Sequence, residues 1–284
     1  MKTSFSLFSF AQDDKPVELF PLIKQAGYDG VEPVLSNAGY LNVSSSDDDI
    51  LALRSLAEKN GLAIPSVGAW SLWEHNLVSD NAETRERARD IIRFQLKAAR
   101  LLGADTILVV PGWVGTEFSP TPEFIRYDIA YERAAEAFKV LGRDAEREGV
   151  KIGIENVWNR FLLSPVETAR LVDEVASPFF GVYFDVGNII YIGYPDQWIE
   201  ILGKRIFKIH LSDYRFSQAG LGAFVDLFAG DVDFKAVVTA LKKIGYDDWL
   251  TTEMLPNYKQ FPRTSIFSSK AAVDAILEMY NGNI

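Results

Sequence analysis

Four polar side chains stand at the ends of short apolar runs, where a purely structural strand would carry another aliphatic residue. They are Glu155 in Gly153-Ile154-Glu155-Asn156, Asp185 in Tyr183-Phe184-Asp185-Val186-Gly187, His210 in Lys208-Ile209-His210-Leu211-Ser212, and Glu253 in Leu250-Thr251-Thr252-Glu253-Met254. Taken singly, each is explained as well by a strand-end polar residue or a helix cap. Taken together they change the argument, because carboxylates gathered within a few ångströms repel one another, are costly to desolvate and call for a cation. Three carboxylates and one imidazole make an oxygen-rich donor set. Such a set suits Mn2+ or Mg2+ and also accepts Co2+ or Zn2+. One divalent ion is therefore the expected cofactor, with Mn2+ the first choice.

The elements that must position these residues follow from the hydrophobic pattern. Eight β-rich runs recur: Ser4 to Phe10, Gly30 to Pro33, Ala63 to Ala69, Thr106 to Pro111, Lys151 to Asn156, Gly181 to Asp185, Phe207 to Ser212 and Trp249 to Met254. Segments of helical period lie between them; over Ala82 to Leu102 the residues Ile91, Ile92, Leu96, Ala99 and Leu102 share one face. Ser46 with Asp47, Asp48 and Asp49 reads as a helix start, and Gly61 and Gly103 read as helix stops. Gly27-Tyr28-Asp29 is echoed by Gly245-Tyr246-Asp247, a helix-to-strand joint in both places. Eight βα units in 284 residues predict a single α/β domain over 1–284, a (β/α)8 TIM barrel. In that fold the active site forms at the C-terminal ends of the strands, so the four residues, on strands five to eight, converge on one side of the mouth. The stretch from Asn257 to Ser269 reads as a long irregular loop.

Composition removes several classes of function. A net charge of −10 speaks against nucleic-acid binding, and the absence of cysteine removes disulfides, thiolate metal sites and cysteine nucleophiles. No stretch approaches the roughly 20 apolar residues of a membrane helix. The first ten residues alternate like a strand and lack the apolar core of a secretory signal, so a cytoplasmic protein with no membrane partner is expected. Dinucleotide, P-loop and serine-elbow motifs are absent. Two histidines are too few for the multi-metal cluster of a nuclease on this fold. His75, in the loop after strand three, is a candidate substrate contact or a solvated loop residue. Trp70, Trp73, Trp113 and Trp158 offer apolar faces to a sugar or pack as ordinary rim residues, and Trp113 and Trp158 are carried forward as substrate-binding candidates.

With these residues in view, strands five to eight resemble the xylose-isomerase-like superfamily of sugar and sugar-phosphate isomerases and epimerases, which includes the ketose 3-epimerases. The resemblance covers essentially the whole chain. It implies a metal held by Glu155, Asp185, His210 and Glu253, and it implies that Arg215, after His210-Leu211-Ser212-Asp213, reaches the substrate. It also implies a small-molecule sugar or sugar-phosphate partner and a homodimer or homotetramer. Two positions depart from the free-sugar 3-epimerases. Asn188 stands where those relatives tend to carry a histidine, so it can hydrogen-bond a substrate oxygen but cannot carry a proton. Leu162 stands where they often place a further glutamate. The Asp185-Val186-Gly187-Asn188 pattern resembles instead the branch that acts on ketose phosphates.

The chemistry so implied removes a proton from a carbon beside a ketone, with the cation stabilising the enediolate as Lewis acid and template. Glu155 and Glu253 would flank the sugar, one taking the proton and the other returning it from the far face, while Asp185 and His210 serve as ligands only. A metal-dependent dehydratase, a hydroxypyruvate-type isomerase and a non-catalytic sugar-binding barrel are the competing readings.

Overall fold

The computed structural model describes residues 1–119, 122–255 and 258–282. The chain forms β1 (Lys2–Ser6), α1 (Pro16–Ala26), β2 (Gly30–Glu32), β3 (Val34–Leu35), α2 (Asp47–Lys59), β4 (Ser66–Ala69), α3 (Ala82–Leu102), β5 (Thr106–Val109), α4 (Tyr127–Glu148) and β6 (Lys151–Glu155). It continues through α5 (Pro165–Val175), β7 (Phe180–Asp185), α6 (Pro195–Leu202), β8 (Ile206–Leu211), β9 (Asp213–Tyr214), β10 (Phe224–Val225), α7 (Phe234–Ile244), β11 (Trp249–Thr252) and α8 (Thr264–Asn281). All pairings in the main sheet are parallel, in the order β2-β1-β11-β8-β7-β6-β5-β4-β3. Its two end strands, β2 and β3, are consecutive in the chain and separated only by Pro33. That residue has no N–H to give a ladder, so one barrel position is split in two and the ring closes through it. The architecture is the (β/α)8 TIM barrel that the alternation predicts.

Differences from the sequence expectation lie at strand ends. The first strand stops at Ser6, whose hydroxyl accepts the Phe8 amide at 3.3 Å and turns Leu7–Ser9 into a 3-10 turn. The third run forms a regular strand only after Pro65, again a residue without a donor, although Ala63 still bridges Gly30. The stretch expected to be one long loop is shorter: Thr264 to Ser269 open α8, with Ser269 Oγ donating to the Ser265 carbonyl at 2.6 Å. The first residue of that stretch, Asn257, lies outside the described residues.

The helices pack as their patterns dictate. Ile91, Ile92, Leu96, Ala99 and Leu102 of α3 are buried, and Ser46 and Asp49 form a reciprocal capping box on α2. The repeated joint is real in three dimensions. Gly27 and Gly245 both adopt left-handed backbone (φ 98° and 71°), and the tyrosine after each returns its amide to the helix, to the carbonyls of Ile23 and Leu241.

The barrel interior is layered. At its floor the buried Lys208 reaches Asp105 at 3.0 Å and Asp248 at 2.8 Å, an ionic plug between β8 and the starts of β5 and β11. Above it lies a polar layer of Ser4, Thr251, Ser66 and Tyr183, whose hydroxyls are linked to one another and to Glu32 at 2.5 to 3.2 Å. On top of that layer sits the four-residue cluster. No helix among the described residues is long and apolar enough to cross a membrane.

Candidate metal centre and substrate cavity

Glu155 ends β6, Asp185 ends β7, His210 is the penultimate residue of β8, and Glu253 follows β11, so four adjacent barrel positions each supply one group. All four are buried, and one donor atom from each lies within 4.8 Å of the others. His210 Nδ1 is 3.4 Å from Glu155, 3.2 Å from Glu253 and 4.0 Å from Asp185. A cation with bonds of about 2.1 Å would separate neighbouring donors by about 3.0 to 3.4 Å and opposite ones by about 4.2 Å. The observed spacings match that requirement with a few tenths of an ångström to close. Two buried atoms aimed into the cluster, Asp185 Oδ2 and His210 Nδ1, have no hydrogen-bond partner. Unpartnered ligand-type atoms in a buried acidic pocket are what a cation would complete, and the residues fit one.

Two of the four groups, Asp185 and His210, are oriented by their surroundings. Asp185 Oδ1 accepts the Asn188 amide at 2.7 Å and the Ser212 hydroxyl at 2.8 Å, which turns Oδ2 toward the cluster. Gly187 makes this possible, since a Cβ there would collide with Ser212 Oγ. Asn156 clamps the Asp185 backbone from β6, accepting its amide at 2.9 Å and donating to its carbonyl at 2.8 Å. His210 is held from behind by Glu32, at 2.9 Å from Nε2, and that carboxylate also accepts from Ser6, Ser66 and Tyr183. With Nε2–H directed at Glu32, Nδ1 is the nitrogen left for a metal.

Burial of so many acidic groups together favours protons on the carboxyls. Burial lifts Glu155 to about 8, with the charges of Glu253 and Asp185 adding to it, and burial lifts Asp185 to about 7 with Glu253 adding again. Burial opposes charge on His210, but Glu32, Tyr183, Glu253 and Glu155 outweigh it and raise its pKa. Burial also opposes charge on Glu32, yet His210, Ser66 and Tyr183 hold it below the ordinary carboxylate value. A divalent ion would take the place of the protons.

Above the cluster opens a cavity of about 210 Å3 whose walls include Phe8, Trp70, Trp73, Phe118, Trp158 and Phe224, with Glu155, Glu253 and Asn188 at the base. Among the described residues, the only charged groups in its lining are those two glutamates. Among the substrate candidates, Asn188 and Trp158 border this space and are joined by an indole N–H to carbonyl bond of 3.1 Å. Trp113 stands one layer back, buried, with its ring stacked on Trp73 at 6.1 Å. His75 lies outside the cavity lining, half-buried, with burial and Arg87 lowering its pKa. Arg215 is outside it too, its guanidinium donating to the Ala229 carbonyl at 2.7 Å. Leu162, buried with φ of 54°, offers no polar group.

Sequence reasoning missed Glu32, although it ends the run Gly30-Val31-Glu32 and satisfies the same strand-end criterion that selected the other four. It also missed Phe8 in the 3-10 turn after β1, Phe118 in the loop after β5 and Phe224 at the start of β10, which long-range packing brings to the mouth.

The profile of the xylose isomerase-like TIM barrel family matches residues 20–273. A putative L-ribulose-5-phosphate 3-epimerase, SgbU, of Escherichia coli (strain K12) is 27% identical, over 95% of this chain and 94% of that protein. An inosose dehydratase of Geobacillus thermodenitrificans is 22% identical, over 72% of this chain and 73% of its own. Among solved structures, D-psicose 3-epimerase in the presence of D-fructose superposes with a TM-score of 0.81 at 16% identity, covering 99% of this chain and 100% of that one. The IOLI protein with a bound zinc atom gives 0.80 at 21% identity, covering 99% of both chains. At such identities the two structures speak for the fold alone. On the profile match, this chain belongs to the xylose isomerase-like TIM barrel family.

Proposed function

We propose that the protein is a divalent-metal-dependent sugar isomerase or epimerase of ketose 3-epimerase type, acting by proton transfer beside a carbonyl. The observation that carries this reading is the pairing of Glu155 and Glu253. Both are buried, both face His210 Nδ1 and both form the floor of one apolar cavity. The epimerase relative and the zinc of the structurally similar protein support the same assignment.

A divalent cation held by Glu155, Asp185, His210 and Glu253 would supply Lewis-acid stabilisation of the negative charge that develops on the sugar. The chain's own residues do the rest. Asp185, with one oxygen already saturated, and His210, locked by Glu32, act as ligands only. Glu155 and Glu253 come from strands β6 and β11, separated in the barrel by β7 and β8, and so reach a bound sugar from two sides. One removes the proton from carbon 3 and the other delivers a proton to the opposite face, which inverts the centre. Asn188 hydrogen-bonds a substrate oxygen, and Phe8, Trp70 and Trp73 keep water from the reacting carbon.

Dehydration at the same ligands is the second reading, favoured by the inosose dehydratase match. The test is NMR in D2O with added Mn2+ over a panel of ketoses and ketose phosphates, with Glu253→Gln as control. Deuterium at carbon 3 with inversion, lost in the control, is the expected result. Loss of water from a substrate without inversion would transfer the assignment to a dehydratase, and no change in any sugar would remove the catalytic reading.

A further inference from the structure

A second space adjoins the cavity over the metal cluster. It measures about 330 Å3, and Phe118, Val157 and Trp158 line both, so an inner and an outer chamber meet along one shared edge. Trp158 is held at that edge. Its indole N–H is fixed to the Asn188 carbonyl, and its ring packs on Phe224 at 5.3 Å on the inner side and on Tyr191 at 6.3 Å on the outer side.

The two chambers differ in what they can hold. At about 210 Å3 the inner one lies below the roughly 300 Å3 at which small-molecule sites usually begin, while the two together lie well inside the usual range. The outer chamber is walled by Trp158 and Tyr191, with Thr116, Glu117 and Arg160 among its other residues and Tyr214 buried behind them. Flat aromatic faces bordered by polar groups suit the C–H face and hydroxyls of a second ring. Glu117 and Arg160 bring opposite charges, so the chamber is not built for an anion, and the inner chamber has only carboxylates.

We infer that the outer chamber is a second subsite, which receives a neutral ring joined to the keto sugar that reacts in the inner chamber. The preferred substrate is thus a two-unit keto-saccharide and not a free or phosphorylated monosaccharide. This inference rests on the proton-transfer reading of the inner chamber, and its test separates the two. Affinities of the Mn2+-loaded protein for D-fructose, lactulose, isomaltulose and D-fructose 6-phosphate are measured by calorimetry, for the native chain and for Tyr191→Ala and Ile192→Ser. Both positions are at least half exposed, and neither touches the metal cluster.

The subsite predicts that at least one disaccharide binds about tenfold tighter than D-fructose, as one stacked aromatic contact provides. Tyr191→Ala should remove most of that gain and leave D-fructose within twofold. Equal binding of disaccharides and D-fructose, a gain that survives both substitutions, or tightest binding by the phosphate would each overturn the inference. Deuterium uptake is followed in the same samples. A Tyr191-dependent gain without uptake in any ligand would uphold the subsite and overturn the proton-transfer reading.

Discussion

Replacing Glu32 by glutamine would test how the metal site is built, without touching a ligand. The carboxylate serves four donors with two oxygens: Ser6 and His210 meet Oε1 at 2.7 and 2.9 Å, and Ser66 and Tyr183 meet Oε2 at 2.5 and 2.7 Å. Glutamine keeps the shape but has one accepting oxygen and one NH2 group. If the NH2 turns toward His210, Nε2 must accept, the ring proton moves to Nδ1, and the ligand nitrogen is lost. If it turns toward Ser66 and Tyr183, the imidazole keeps its bond but loses the charge that makes it a strong donor to a cation. Changes of this kind behind a ligating histidine cost 10 to 100-fold in metal affinity, about 1.4 to 2.7 kcal/mol. Calorimetric titration with Mn2+ measures the loss. Nitrogen-15 spectra of the Zn2+ form read the tautomer directly, because only His75 and His210 contribute ring signals. Unchanged affinity within twofold, with an unchanged His210 tautomer, would refute the role given to Glu32.

Three further outcomes follow from the same geometry. Gly187→Ala drives a methyl group into Ser212 Oγ and frees Asp185 Oδ1; a loss of about 1 to 3 kcal/mol in thermal unfolding and a weaker metal site are expected, and wild-type values in both would contradict the packing argument. Because Glu155 at about 8 and Asp185 at about 7 must lose protons before they can ligate, metal affinity should rise as pH increases through 7 to 8 and level off above. Calorimetry at pH 7 in buffers of different ionisation enthalpy should then detect released protons, and a buffer-independent heat would count against it. At the barrel floor, Lys208→Met should change stability by under about 1 kcal/mol, whereas Asp105→Ala with Asp248→Ala strands a buried ammonium and should cost about 3 to 5 kcal/mol by denaturant unfolding; equal costs would show that the plug is not ionic.

The parts of this molecule that sequence reveals are those fixed by local chemistry. Strand and helix positions follow from apolar period, whereas the strand break at Pro33 and the late start after Pro65 escaped the pattern, because the missing N–H interrupts the ladder inside an apolar run. Glu155, Asp185, His210 and Glu253 stand out because a charged group closing an apolar strand is anomalous wherever the strand goes, and the barrel brings them within 4.8 Å. The rest depends on long-range contact. Trp113 looks like a rim aromatic in sequence, yet Asn76, from the loop after β4, accepts its amide at 3.0 Å and donates to its carbonyl at 2.9 Å, which folds the ring behind Trp73. Arg215 follows the ligand strand closely, but the hairpin of β9 and β10 bends it toward Ala229. The outer chamber exists only because the segments around Thr116, Trp158, Tyr191 and Gly220 meet at one edge of the mouth.

The central claim is that Glu155 and Glu253 move protons on opposite faces of one substrate carbon. It is tested by following solvent deuterium into carbon 3 of each of two epimers separately, at saturating Mn2+, in Glu155→Gln and in Glu253→Gln. Both variants should lose epimerisation, while each exchanges the carbon-3 proton of one epimer only, and of opposite epimers in the two cases. Exchange of both epimers by a single variant, or inversion surviving in either, would contradict the two-sided mechanism.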